Sequence, residues 1–180
     1  MSAGILALDT ARNVGWAFAK SPADEPQWGS VRIVRPSTDA GEWFYQFERW
    51  LIWKIDRSNP RYVVYMNPIR TKFDSSDRLQ KLYGLAAVVR LVCARLAHDE
   101  DREITAKYAE DAAVCRSFTG KGRWGGRDNK KAAVIRVAKQ YGWDTGTDDD
   151  AADALALLVF SEHKLYPKEA GKRPLVLRAA

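Results

Sequence analysis

The first third of the chain carries three short apolar runs with the two-residue period of a β-strand, GILALDT, VGWAFAK and QWGSVRIV, separated only by the turn-forming ARN and SPADEP. Strands this close in sequence pair as an antiparallel meander. From Thr38 to Arg57 the period changes, and Trp43, Phe44, Phe47, Trp50, Leu51 and Trp53 recur at helical spacing as a core-facing stripe. RYVVYM then reads as a buried parallel strand that Pro68 ends. A long helix follows at SSDRLQKLYGLAAVVRLVCARLA, where Gly84 allows a neighbour to approach closely. After it come a fifth strand at EITAKY, a short helix at AEDAAVCRSF, a helix at NKKAAVIRVAKQYG and a last helix led by the acids of DDDAADALALLVF. This order makes a mixed five-stranded α/β sheet, a three-strand antiparallel meander plus two parallel strands, flanked by helices. It forms one domain over residues 1–165, with a basic, proline-containing tail over 166–180 expected to be extended.

Charge limits the partners. A net charge of +6 favours anionic ones, nucleic acid first. No apolar run approaches the length of a membrane span, no basic helix has a clean apolar face, and the N-terminus lacks the pattern of a secretory signal, so a cytoplasmic protein without a membrane partner is expected. Cys93 and Cys115 read as reduced core thiols, and His98 and His163 stand too far from other ligand types to suggest a metal site.

Four acids crowd the start of the last helix, which is otherwise Ala- and Leu-rich and must be buried. Asp148 and Asp149 read as charges at a helix N-terminus, where free N–H groups welcome them. Asp150 and Asp153 share one helix face at about 5–6 Å between Cβ atoms, where two carboxylates repel. Asp9 ends the apolar first strand, where packing has no use for a carboxylate. Three acids from a strand end and a helix start can hold a hard divalent cation through oxygen, and Mg²⁺ between them would cancel their repulsion.

ILALDTARNVGWAF followed far downstream by DDDAADALALLVF resembles the RuvC-type Holliday junction resolvases of the RNase H-like superfamily, in particular their phage and prophage branch. The similarity runs from Gly4 to about Phe160. It implies an RNase H-like fold, a homodimer paired through the long helix at Leu82 to Leu96, and a bacterial or phage-infected bacterial cell as the setting. It also implies Mg²⁺-dependent, two-metal hydrolysis of four-way DNA junctions, with Asp9, Asp150 and Asp153 as metal ligands and Mn²⁺ as a substitute for Mg²⁺. The family places a metal-binding Glu where this chain has Met66, a soft neutral side chain useless to Mg²⁺, so cleavage by this sequence is expected to be impaired. Asn67 faces the other side of the strand, and Asp148 or Asp149 could compensate only in part.

TGKGRWGGRDNKK, residues 119–131, is glycine-rich and basic. Lys121, Arg123, Arg127, Lys130 and Lys131 suit DNA phosphate, and Trp124 either stacks on a base or shields the loop. Asp128 or Asn129 is the expected cap of the next helix, which puts Lys130 and Lys131 in a first turn that disfavours cations unless phosphate binds there. By its spacing to Val134, Lys131 matches the family's active-site lysine. After the fourth strand, Arg70 and Lys72 could reach phosphate and Phe73 could wedge into a junction. Two other readings stay open. One is a branched-DNA-binding protein of the same fold that does not cut; the other is a sugar kinase or ATPase of the superfamily, which DTARNVG disfavours by lacking a Gly/Thr-rich phosphate loop.

Overall fold

The computed structural model describes residues 4–11, 13–35, 38–69, 75–122 and 124–171. Strands β1 (Ile5–Thr10), β2 (Val14–Ala19) and β3 (Gln27–Val31) form the expected meander. Helix α1 (Ala40–Ser58) crosses to β4 (Tyr62–Met66), α2 (Ser76–Asp99) to β5 (Thr105–Ala109), and both of these strands run parallel to β1. The sheet order is β3-β2-β1-β4-β5, so β1 is central. Helices α3 (Asp111–Thr119), α4 (Arg127–Gln140), α5 (Asp149–Leu165) and α6 (Pro167–Ala170) complete the chain.

Strand alternation sorts the core into two layers. Leu6, Leu8, Val63 and Tyr65 face α1 and α2. Ile5, Ala7, Ala17, Val64, Met66 and Ala109 face α3, α4 and α5. Between α1 and α2 the approach is as close as the sequence implied: a Cβ on Gly84 would stand 2.1 Å from the Phe44 ring. Asp39 starts α1 by accepting from the N–H groups of Gly41 and Glu42 at 2.7 and 3.3 Å. Helix α5 lies on β1 and β2 and is covered by α3 and α4, which is why Ala151, Ala152 and Ala154 to Val159 are buried around most of its circumference.

The extended tail expected after Leu165 begins differently. Pro167 opens a helical turn, and its fixed φ suits that position. Ala170 is buried, and Tyr166 packs edge-on against Tyr62, so contact with the body of the domain outweighs the local basic composition. Residues 172–180 lie outside the described residues.

Candidate metal centre and the adjoining basic cavity

The α5-facing positions of β1 are Ile5, Ala7 and then Asp9, so alternation alone aims the Asp9 carboxylate at the helix carrying the other acids. Opposite Asp9 on β2 is Gly15. The Asp150 carbonyl oxygen lies 1.9 Å from where a Gly15 Cβ would stand, and no other residue would let α5 start here. Asp148 caps α5 by accepting from the Ala151 N–H at 3.0 Å, and its second oxygen accepts from the Ser30 hydroxyl at 2.7 Å. Cap and glycine together fix where Asp150 and Asp153 stand relative to Asp9.

Each of the three acids is harder to ionise than an ordinary carboxylate. Burial raises Asp9 well above the usual range, and the charges of Asp153 and Asp150 raise it further. Burial pushes Asp153 up to about 6, against the Lys130 ammonium, which lowers it. Asp150 is raised by burial, with a hydrogen bond from Asn13 opposing. Burial works against the charge on Lys130, yet Asp153, Asp111 and Asp9 around it hold its pKa above the usual lysine value. Lys130 Nζ contacts the Asp111 carboxylate and lies 3.7 Å from that of Asp153.

Among the described residues no three acidic, histidine or cysteine side chains converge on a common point as ligands of one ion do. Asp111 and Asp153 converge on the lysine ammonium instead. In kind, the donors fit a hard divalent cation: all are carboxylate oxygens, whose pKa values are raised by burial first and by neighbouring acids next.

Beside this centre opens a cavity of about 520 Å³. Its lining mixes the acids Asp77, Asp149 and Asp150 with the bases Arg78, Lys81, Arg127 and Lys131, of which Lys81 pairs with Asp77 and Lys131 with Asp149. A carboxylate cluster bordered by a basic cavity is suited to receive a phosphodiester.

Neither a family model nor a curated protein sequence matches the chain. Solved structures do. Thermus thermophilus RuvC superposes with a TM-score of 0.64 at 12% identity, over 90% of this chain and 96% of that one. The same protein in complex with a Holliday junction substrate gives 0.65 at 14% identity, over 92% and 95%. The fold is that of RuvC. The yeast mitochondrial Holliday junction resolvase Ydc2 shares it at 0.59 and 12% identity, over 94% of this chain and 84% of that one. The RNase H-like fold implied by the sequence is thus the one observed, and nearly the whole of RuvC is represented in this chain.

On the RuvC fold, the individual residues fall as follows. Asp9, Asp150 and Asp153 are brought close enough for their charges to act on one another. Met66 stands one residue beyond the last β1–β4 pair, Leu8 with Tyr65, and is therefore beside Asp9 on the same sheet face, buried among apolar chains. The Asn67 amide donates to Glu110 at 2.8 Å. Asp149 pairs with Lys131.

Both lysines lie beside acids: Lys130 near Asp111 and Asp153, Lys131 near Asp149 at the cavity. Helix α4 begins at Arg127 on Gly126 and has no side-chain cap, so Asp128 and Asn129 lie inside its first turn and the two lysines come after it. Each lysine has a carboxylate beside it, Asp111 for Lys130 and Asp149 for Lys131.

In the loop ahead of α4, the Trp124 N–H donates to the Lys121 carbonyl at 3.0 Å and the Lys121 ammonium lies over its ring. These two residues border a separate depression with Arg136, away from the cavity that Arg127 and Lys131 line. Arg70, Lys72, Phe73 and Arg123 lie outside the described residues. Three residues at the centre or cavity carry no sequence motif: Arg78 and Lys81 in the first turns of α2, and Asp111 at the start of α3. The i, i+3 spacing of Arg78 and Lys81 is the only sequence signal for the first two.

Proposed function

We propose that this protein is a structure-selective DNA endonuclease that binds and resolves four-way junctions with the help of Mg²⁺. The observation that carries the reading is that Asp9 from β1 lies near enough to Asp150 and Asp153 from α5 for their charges to act on it, beside a cavity whose lining includes four basic residues. Bound divalent ions would activate water and offset charge on the reacting phosphate. The chain's own contributions are separate: Asp9, Asp150 and Asp153 would hold the ions, Arg78, Lys81, Arg127 and Lys131 would meet the DNA backbone, and Gly15 keeps α5 seated against the sheet.

Cutting two strands symmetrically calls for two copies of the site. Helix α2 offers a pairing surface, since Tyr83 and Leu91 project from one side of it at 49% and 55% exposure. Among the described residues no helix is long and apolar enough to cross a membrane.

A second reading, branched-DNA binding without cleavage, draws on Met66: three carboxylates with an apolar neighbour supply fewer anionic ligands than a metal pair needs. Incubation of the protein with a labelled four-way junction and a matched linear duplex, with and without Mg²⁺, separates the two. Junction-selective binding with Mg²⁺-dependent nicking supports the endonuclease. Selective binding without nicking supports the second reading, and equal binding to both DNAs overturns both.

A further inference from the structure

Helix α1 turns Trp43, Phe47, Leu51 and Ile55 into the core. Trp53, which the sequence places in the same apolar stripe, departs from it and is 48% exposed. It stands instead in a line with Tyr45, 53% exposed, and with Arg49 and Arg57, which are exposed as well. The four residues are spaced by four, so ring, cation, ring and cation follow one another along the outer side of the helix, each about 6 Å beyond the last. The Arg49 guanidinium lies 5.8 Å from the centre of the Tyr45 ring, and that of Arg57 lies 4.8 Å from the centre of the Trp53 ring. Packing against the sheet has no use for these four side chains.

The acids of α1 do not neutralise the line. Glu48 pairs with Arg95 on α2, Asp56 pairs with Arg102, and Glu42 accepts from the Gln46 amide. Among the described residues no carboxylate pairs with Arg49 or Arg57. Both ends of the line meet further positive charge. Trp43, near the start of α1, lines the cavity that holds Arg78 and Lys81. Arg57 lines a second cavity of about 570 Å³ at the N-terminal ends of β1 and β4, together with Lys20, Arg61 and Arg102. There Arg61 pairs with Glu103 and Arg102 with Asp56, which leaves Lys20 and Arg57 without a carboxylate partner among the described residues.

We propose that the outer side of α1 is a track for single-stranded DNA, on which Tyr45 and Trp53 stack with unpaired bases while Arg49 and Arg57 meet phosphates. A protein partner calls for an apolar centre with charges at its rim. Here ring and charge alternate at every step, as base and phosphate do along a strand, and duplex DNA has no open base face to offer the rings. The track lies on the α1 side of the sheet, whereas the acids lie on the α5 side. It therefore goes beyond junction cleavage and needs no metal.

Anisotropy of a fluorescent oligothymidylate titrated with the full chain, in the presence of a chelator, tests this apart from cleavage. Tyr45→Ala and Trp53→Ala should each weaken binding about 10-fold, as loss of one stacking ring does, and Trp53→Phe should keep most of the affinity. Arg49→Gln and Arg57→Gln should each reduce the slope of log affinity against log salt by about 0.7. A bromodeoxyuridine-substituted oligomer should cross-link to Tyr45 or Trp53 under ultraviolet light. Failure of the wild-type protein to bind the oligomer, or wild-type affinity and slope in all four of these Ala and Gln variants, overturns the proposal while leaving the endonuclease reading to its own test. Loss of self-association on sedimentation of the ring variants, with oligomer binding intact, assigns the face to a second copy and overturns it too. Thermal melts of each variant confirm that folded protein is being compared.

Discussion

The Asp150 carbonyl oxygen sits 1.9 Å from the position a Cβ would take on Gly15, so the first turn of α5 rests directly on the backbone of β2. A methyl group there meets backbone and not a yielding side chain. Gly15→Ala should destabilise the fold by about 1–3 kcal/mol, the usual cost of overpacking a close approach. It should also lower Mn²⁺ affinity, because α5 must move away from Asp9. Thermal denaturation and metal titration of the same preparation measure the two effects together.

Asp153 gives the stability of the metal-free protein a definite pH dependence. Its carboxyl is raised to about 6 by burial first and by neighbouring acids, against Lys130. A group whose folded pKa lies above its unfolded value, about 3.9 for Asp, stabilises the protein fully below that value and loses the contribution as pH rises through the folded pKa. Asp9 is raised as well and acts in the same direction. In the presence of a chelator, the melting temperature should therefore fall as pH rises from about 4 through 6. Asp153→Asn should flatten the decline, and Mg²⁺ at neutral pH should reverse it. A melting temperature that climbed across this window would contradict the electrostatics of the site.

The cavity residues Arg78, Lys81, Arg127 and Lys131 should carry most of the salt dependence of junction binding. Single Ala substitutions should reduce the slope of log affinity against log salt by about one for each phosphate that is no longer neutralised. Lys121→Ala should have a smaller effect, since its ammonium lies over Trp124 in a different depression. Fluorescence anisotropy at several salt concentrations reads both slope and affinity. Equal slopes for all five variants would remove the cavity from the DNA path.

Much of this arrangement is legible in the sequence, and the parts that are not share a physical cause. Alternation along β1 aims Asp9 at the same side as Ile5 and Ala7, and the apolar length of α5 requires burial beneath covering helices; both follow from local periodicity. Asp148 behaves as the cap that its position suggests. The choice between Lys130 and Lys131 is not legible, because neighbouring helical residues differ in direction by about 100°, and which one faces inward depends on how α4 lies against α5. Asp111 is hidden for a similar reason. It is close to Asp153 only through sheet pairing and the packing of three helices, with no spacing motif to betray it. The turn of helix at Pro167 escapes a reading of local composition because a buried Ala170 overrides a polar surrounding sequence.

Convergence of Asp9, Asp150 and Asp153 on a divalent ion is what would make this RuvC-type fold a nuclease, and anomalous diffraction from crystals soaked in Mn²⁺ measures that convergence directly. The expected result is Mn²⁺ coordinated by carboxylate oxygens of these three residues. Mn²⁺ absent from this centre at saturating concentration, with Lys130 still held between Asp111 and Asp153, would contradict it.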